Sequence, residues 1–111
     1  MSENKIHADC YIWFHNNFPY LRGLLCYNLN NSKNAIDGAK NKAMGLQPGR
    51  SDMVLYYCGN AYMIEFKTET GIQSYVQEEW QIKIEKQGFK YIIIRSLEEF
   101  KQFILEIIEN K

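Results

Sequence analysis

No run of eighteen apolar residues occurs in this chain, so no segment reads as a transmembrane helix. The first five residues, Met1 to Lys5, lack the basic-then-apolar form of a secretory leader. Cysteine is scarce: Cys10, Cys26 and Cys58 are odd in number and widely spaced. They fit neither a disulfide framework nor a zinc motif, and read as small buried hydrophobes in a reducing cytoplasm. There is no excess of either charge. Thirteen Lys and Arg balance thirteen Asp and Glu, which argues against a strongly basic nucleic-acid binder. Internal repeats, linkers and low-complexity tracts are also missing. The 111 residues are close to the size of one ordinary domain, residues 1–111, and 46% of them are hydrophobic, enough for one core.

Charge is unevenly distributed within that neutral total. Residues 22–50 carry Arg22, Lys33, Lys40, Lys42 and Arg50 against Asp37 alone. From residue 96 onward, Glu98, Glu99, Glu106 and Glu109 outnumber Lys101 and Lys111. A basic face and a separate acidic face would suit an enzyme acting on DNA; a plain solvated surface gives the same pattern.

Periodicity supplies the elements. Residues 3–17 read as an amphipathic helix with Ile6, Cys10, Trp13 and Phe14 on one stripe, stopped by Pro19. Leu24 to Leu29 is a short strand candidate, and Asn28 to Asn34 a polar loop. Residues 33–44 read as a short helix or an irregular segment. Asp52 to Tyr57 and Ala61 to Lys67 are rich in aromatic and β-branched residues and joined through Gly59-Asn60, a hairpin signal. Ser74-x-x-Gln77 and Ser96-x-x-Glu99 are capping boxes. The first opens a helix with Val76, Trp80 and Ile84 on its apolar stripe. The second opens a strongly amphipathic last helix. Between them, Tyr91 to Ile94 reads as a strand covered on both faces.

Glu65 and Lys67 share one face of their strand, because side chains alternate. Asp52 opens the partner strand and reaches the same end of the hairpin. Two carboxylates and an ammonium gathered there suit a Mg²⁺ ion engaged in phosphodiester hydrolysis. The ordinary alternative is a charge pair on a solvated strand, with Asp52 as a turn residue.

The order and spacing Glu3, Gly49-Arg50-Ser51-Asp52, Glu65-Phe66-Lys67, Gly71 and Gln77 resemble the PD-(D/E)xK nuclease superfamily, and within it the VRR-NUC branch. Ser51 stands where that branch usually has proline, a position that is not a metal ligand. The resemblance implies an α/β fold: a restriction-endonuclease-like core with a mixed central sheet flanked by helices, α-β-β-β-α-β plus a C-terminal helix. It implies a Mg²⁺- or Mn²⁺-dependent endodeoxyribonuclease. The ion would be held by Asp52, Glu65 and the Phe66 carbonyl, with Glu3 as a further candidate ligand. Lys67, Gln77 and Glu3 would complete the catalytic set. Arg22, Lys40, Lys42, Arg50 and His7 are candidate nucleic-acid contacts, and so is the polar segment after the first strand. Stand-alone members look like structure-selective enzymes, some resolving Holliday junctions as homodimers. The expected partner is therefore branched DNA, in the cytoplasm of a bacterial or phage-infected cell. The alternatives are a nicking, flap or restriction-type nuclease, or a catalytically silent nucleic-acid-binding module.

Overall fold

The computed structural model describes residues 1–29 and 34–110. Asn30, Asn31 and Ser32 of the polar loop, together with Lys33 and Lys111, lie outside that range. Helix α1 (Glu3–Asn17) begins at Ser2, whose side chain accepts the Lys5 N–H. A 3-10 turn at Pro19–Leu21 leads into β1 (Leu25–Tyr27). Helix α2 (Ala35–Ala43) is capped by Asn34 and precedes the hairpin of β2 (Met53–Tyr57) and β3 (Asn60–Phe66). Helix α3 (Tyr75–Lys86), β4 (Lys90–Ile94) and α4 (Leu97–Glu109) follow.

The four strands form one mixed sheet in the order β1-β2-β3-β4. The first two pairings are antiparallel, while β4 runs parallel to β3. This is the mixed α/β sheet flanked by helices that the resemblance implies.

Alternation gives the sheet two distinct faces. Tyr62, Ile64 and Phe66 of β3 join Ile6, Cys10 and Phe14 of α1 and Phe100 and Ile104 of α4 in the main core. Cys10 is fully buried there, and burial pushes its thiol up to about 12, so it packs as an inert hydrophobe. Met63, Glu65 and Lys67 point to the other face, where Tyr91 of β4 meets Trp80 of α3.

Several local expectations need correction, and Cys58, read as buried, is exposed. The hairpin turn is Cys58-Gly59, not Gly59-Asn60: both turn residues have positive φ (50° and 80°), and Asn60 already pairs with Tyr57. Two residues of positive φ match the twist of the flanking strands. Strand β4 is an edge strand, and only Ile94 is fully buried in it. Helix α3 buries no residue, and Val76 of its apolar stripe is exposed.

Candidate active site

Strand register brings the two carboxylates together. Met53 pairs with Ile64; one step further, the same antiparallel register sets Asp52 opposite Glu65. Both lie on the face carrying Met63 and Lys67. Asp52 Oδ2 accepts the Phe66 N–H at 2.7 Å, which fastens this carboxylate to the backbone beside Glu65. The segment ahead of Asp52 is propped by β1: the Asn28 N–H donates to the Asp52 carbonyl (2.8 Å) and its side-chain amide to the Ser51 carbonyl (3.2 Å). Ser51 is fully buried and donates its hydroxyl to the Met53 carbonyl at 3.1 Å. A serine thus satisfies its own polar group where proline has none.

Glu65 and Lys67 are not a solvated pair. Glu65 is 0% exposed and Lys67 8%. Lys67 Nζ lies 3.5 Å from Glu65 Oε2, while Glu65 Oε1 accepts the Tyr91 hydroxyl at 2.7 Å. Among the described residues, none donates a hydrogen bond to Oε2. Burial raises the Glu65 carboxyl above its ordinary range and the Asp52 charge adds to this; the Tyr91 hydroxyl and Lys67 pull it back. The Tyr91 phenol is also raised, by burial and then by Glu65. A buried carboxylate oxygen without a donor is costly unless a cation completes it. Asp52, Glu65 and the Phe66 carbonyl offer hard oxygen ligands of the kind Mg²⁺ prefers, and the orphaned Oε2 fits such an ion. Among the described residues, no three His, Cys, Asp or Glu side chains gather as one metal cluster. Two carboxylates with water and substrate oxygens meet the usual demand of Mg²⁺.

Asp52 opens into a polar cleft of about 530 Å³. Glu3 and His7 of α1, Arg50, and Gln77 of α3 line it as well. Glu65 and Lys67 are not in its lining. His7 stacks on Phe66 (centroids 4.8 Å apart, planes at 24°) and meets Tyr27 edge-on. Burial lowers its pKa, and the Asp52 charge offsets part of that.

The opposite wall is the start of α3. Gly49 packs against it so closely that a Cβ would lie 2.5 Å from the Val76 carbonyl oxygen, and its φ is +78°. Gln77 completes the capping box: its Oε1 accepts the Ser74 N–H (2.8 Å) and its own N–H donates to Ser74 Oγ (3.2 Å). The cap consumes the amide oxygen and leaves the amide nitrogen as a donor.

Of the candidate DNA contacts, Arg50 and His7 reach the cleft. Lys40 and Lys42 lie on α2, outside its lining. Arg22 is used elsewhere, donating to the His15 carbonyl at 3.0 Å near the far end of α1.

Two residues passed over in the sequence matter here. Tyr91 holds Glu65, and Gln73 donates to both Tyr91 (3.3 Å) and Gln81 (2.9 Å). Arg95 Nη1 donates to the carbonyls of Thr68 (2.8 Å) and Gly71 (2.6 Å), fixing the loop that follows Lys67. Neither stands out in sequence. Tyr91 looks like one more apolar strand residue, and both partnerships span more than twenty residues.

No family model matches the sequence, and no curated protein matches it. Among solved structures, one described as a VRR_NUC domain protein aligns with a TM-score of 0.82 at 16% identity, covering 98% of this chain and 89% of that chain. Likeness at that level over nearly the whole chain identifies the architecture: the chain has the VRR-NUC fold.

Proposed function

We propose that this protein is a metal-dependent DNA endonuclease that hydrolyses phosphodiester bonds in branched DNA. One observation carries the reading: a fully buried Glu65 with an oxygen that no described donor meets, set beside Lys67 and opposite Asp52, which opens into a polar cleft. A purely structural ion pair at this depth would be completed by hydrogen bonds. Asp52, Glu65 and the Phe66 carbonyl would hold Mg²⁺ or Mn²⁺. When bound, such an ion acidifies water and offsets the charge that develops on phosphate.

The chain's own groups supply the rest. Lys67 holds its ammonium 3.5 Å from Glu65 Oε2, where it would stabilise the charge that develops on the attacked phosphate, an electrostatic role. Arg50 and the N-terminal N–H groups of α3 attract the phosphate, since a helix N-terminus favours anions. Gln77 offers its amide nitrogen to the same group. Glu3 lines the cleft without joining a three-carboxylate cluster, so its share is to orient water or substrate.

A chain of zero net charge has a small electrostatic footprint. A homodimer, with two sites related by a two-fold axis, would match the symmetry of a four-way junction. The bacterial or phage-infected cytoplasm is the corresponding setting. The test is cleavage of labelled duplex, flap and four-way DNA with Mg²⁺, Mn²⁺ or chelator. Metal-dependent cutting, fastest on branched substrates, is expected. Fastest cutting of a flap or a plain duplex would select the flap, nicking or restriction-type reading. No cutting of any substrate with either metal would leave a silent binding module.

A further inference from the structure

A second groove, of about 540 Å³, lies between α1 and β1 and adjoins the polar cleft. Asn4, His7 and Tyr27 line both. Its outer wall is aromatic and open to solvent: Tyr27 is 60% exposed and Tyr11 41%. These rings are held in place. Tyr27 is fixed by strand pairing to Met53, and its ring meets His7 edge-on at 4.8 Å and 80°. His7 is itself stacked on buried Phe66. The main core does not need this arrangement, since neither tyrosine belongs to it.

From this adjacency, and resting on the hydrolase reading above, we infer that the groove receives an unpaired nucleobase of the DNA strand whose phosphate occupies the adjoining cleft. The chemistry matches on both sides of the shared residues. Phosphate meets Arg50 and the start of α3 in the polar half; a base presents a π face and polar edges, which suit Tyr27 and Tyr11 together with the Asn4 amide and the His7 ring. Base–aromatic stacking is sequence-tolerant because every base has such a face. Bases in a duplex are stacked and paired, so one that reaches Tyr27 must come from a single strand, a flap, a gap or a nucleotide unpaired at a branch point. The groove thereby sets the substrate class: DNA with an unpaired nucleotide next to the scissile phosphate.

Binding is measured in an Asp52→Asn background, which separates it from cutting, with single strands and branched DNA carrying 2-aminopurine or an abasic residue at successive unpaired positions. At one position the fluorescence should be quenched by stacking, and the base-bearing DNA should bind about tenfold tighter than the abasic one. Tyr27→Leu, an exposed and apolar replacement, should abolish both effects. Tyr27→Phe should restore them. Equal affinity for base-bearing and abasic DNA at every position overturns the inference, as does an undiminished preference in Tyr27→Leu. Concentration-dependent self-association that Tyr27→Leu abolishes would make the groove an interface between copies and also overturn it. These results leave metal-dependent cutting by the wild-type protein untouched. Absence of both DNA binding and cutting in the wild type would instead remove the hydrolase reading itself.

Discussion

At the scale of single residues, the fully buried Glu65 is held at both oxygens: one accepts the Tyr91 hydroxyl and the other lies 3.5 Å from Lys67 Nζ. Removing the phenolic hydroxyl frees the carboxylate to turn. Tyr91→Phe should therefore weaken Mg²⁺ binding and cutting by about 10–100-fold, as for other outer partners of metal ligands. Calorimetric titration of the ion reads the first effect without any nuclease assay.

The raised carboxyl of Glu65 also has a signed consequence. Its folded pKa lies above its unfolded one, so the metal-free fold binds the extra proton. That contribution is present below the unfolded value of about 4.3. It is lost as pH rises through the folded value. His7, lowered by burial, acts in the opposite sense, because its contribution is lost as pH falls. The difference between wild type and Glu65→Gln isolates the carboxyl. Urea midpoints in chelator should show the wild type losing stability relative to Glu65→Gln as pH rises, and Mg²⁺ should reverse that trend. A difference that stays flat with pH would contradict the assignment.

The pair Glu65 and Lys67 is legible in the sequence because a strand's two-residue period places both on one face. Tyr91 is not, because only the register between β3 and β4 reveals its partner.

At the scale of elements, the start of α3 does more than its sequence shows. Ser74 and Gln77 form the expected capping box. The stripe of Val76, Trp80 and Ile84, however, does not enter the core. Trp80 lies against Tyr91 and Val76 faces Gly49. A 3.6-residue period marks an apolar side but not what covers it; here part of that side is a cleft wall. Gly49→Ala tests this contact. The added Cβ collides with backbone and the positive φ is unfavourable, a cost of about 1–3 kcal/mol. Thermal unfolding should show the loss, and cutting should fall further than stability alone explains, since the displaced wall carries Gln77.

The Ser96 cap differs from its sequence reading. Ser96 Oγ accepts the Glu99 N–H at 3.1 Å, but the Glu99 carboxylate takes the Arg95 N–H at 2.6 Å instead of closing back on Ser96. Strand β4 was expected to be covered on both faces because an apolar run carries no signal of sheet order; its place at the edge follows from the β3–β4 pairing.

At the scale of the whole molecule, element order follows from local patterns, since each helix carries its own caps and each strand its own composition, whereas the mixed sheet was legible only through the resemblance. Surface roles are less legible. Of the apolar residues between the first helix and the first strand, Leu21 is buried and Phe18 packs on the core, while Tyr20, 70% exposed, and Leu24 stay at the surface. The basic run likewise disperses: Arg50 enters the cleft, Arg22 binds the end of α1, and Lys40 and Lys42 sit on α2. If α2 touches the DNA backbone, neutralising Lys40 and Lys42 together should reduce the logarithmic salt slope of binding by about 2. An unchanged slope would place the backbone contacts elsewhere.

The central claim is that Asp52 and Glu65 jointly hold the ion that permits cutting. Single-turnover cleavage of branched DNA in Mg²⁺ tests it directly, comparing wild type with Asp52→Asn and Glu65→Gln. Each variant should cut at least on the order of 10²-fold more slowly, while DNA affinity holds or tightens because a negative charge near phosphate is gone. A variant that cuts at the wild-type rate in Mg²⁺ would contradict the account.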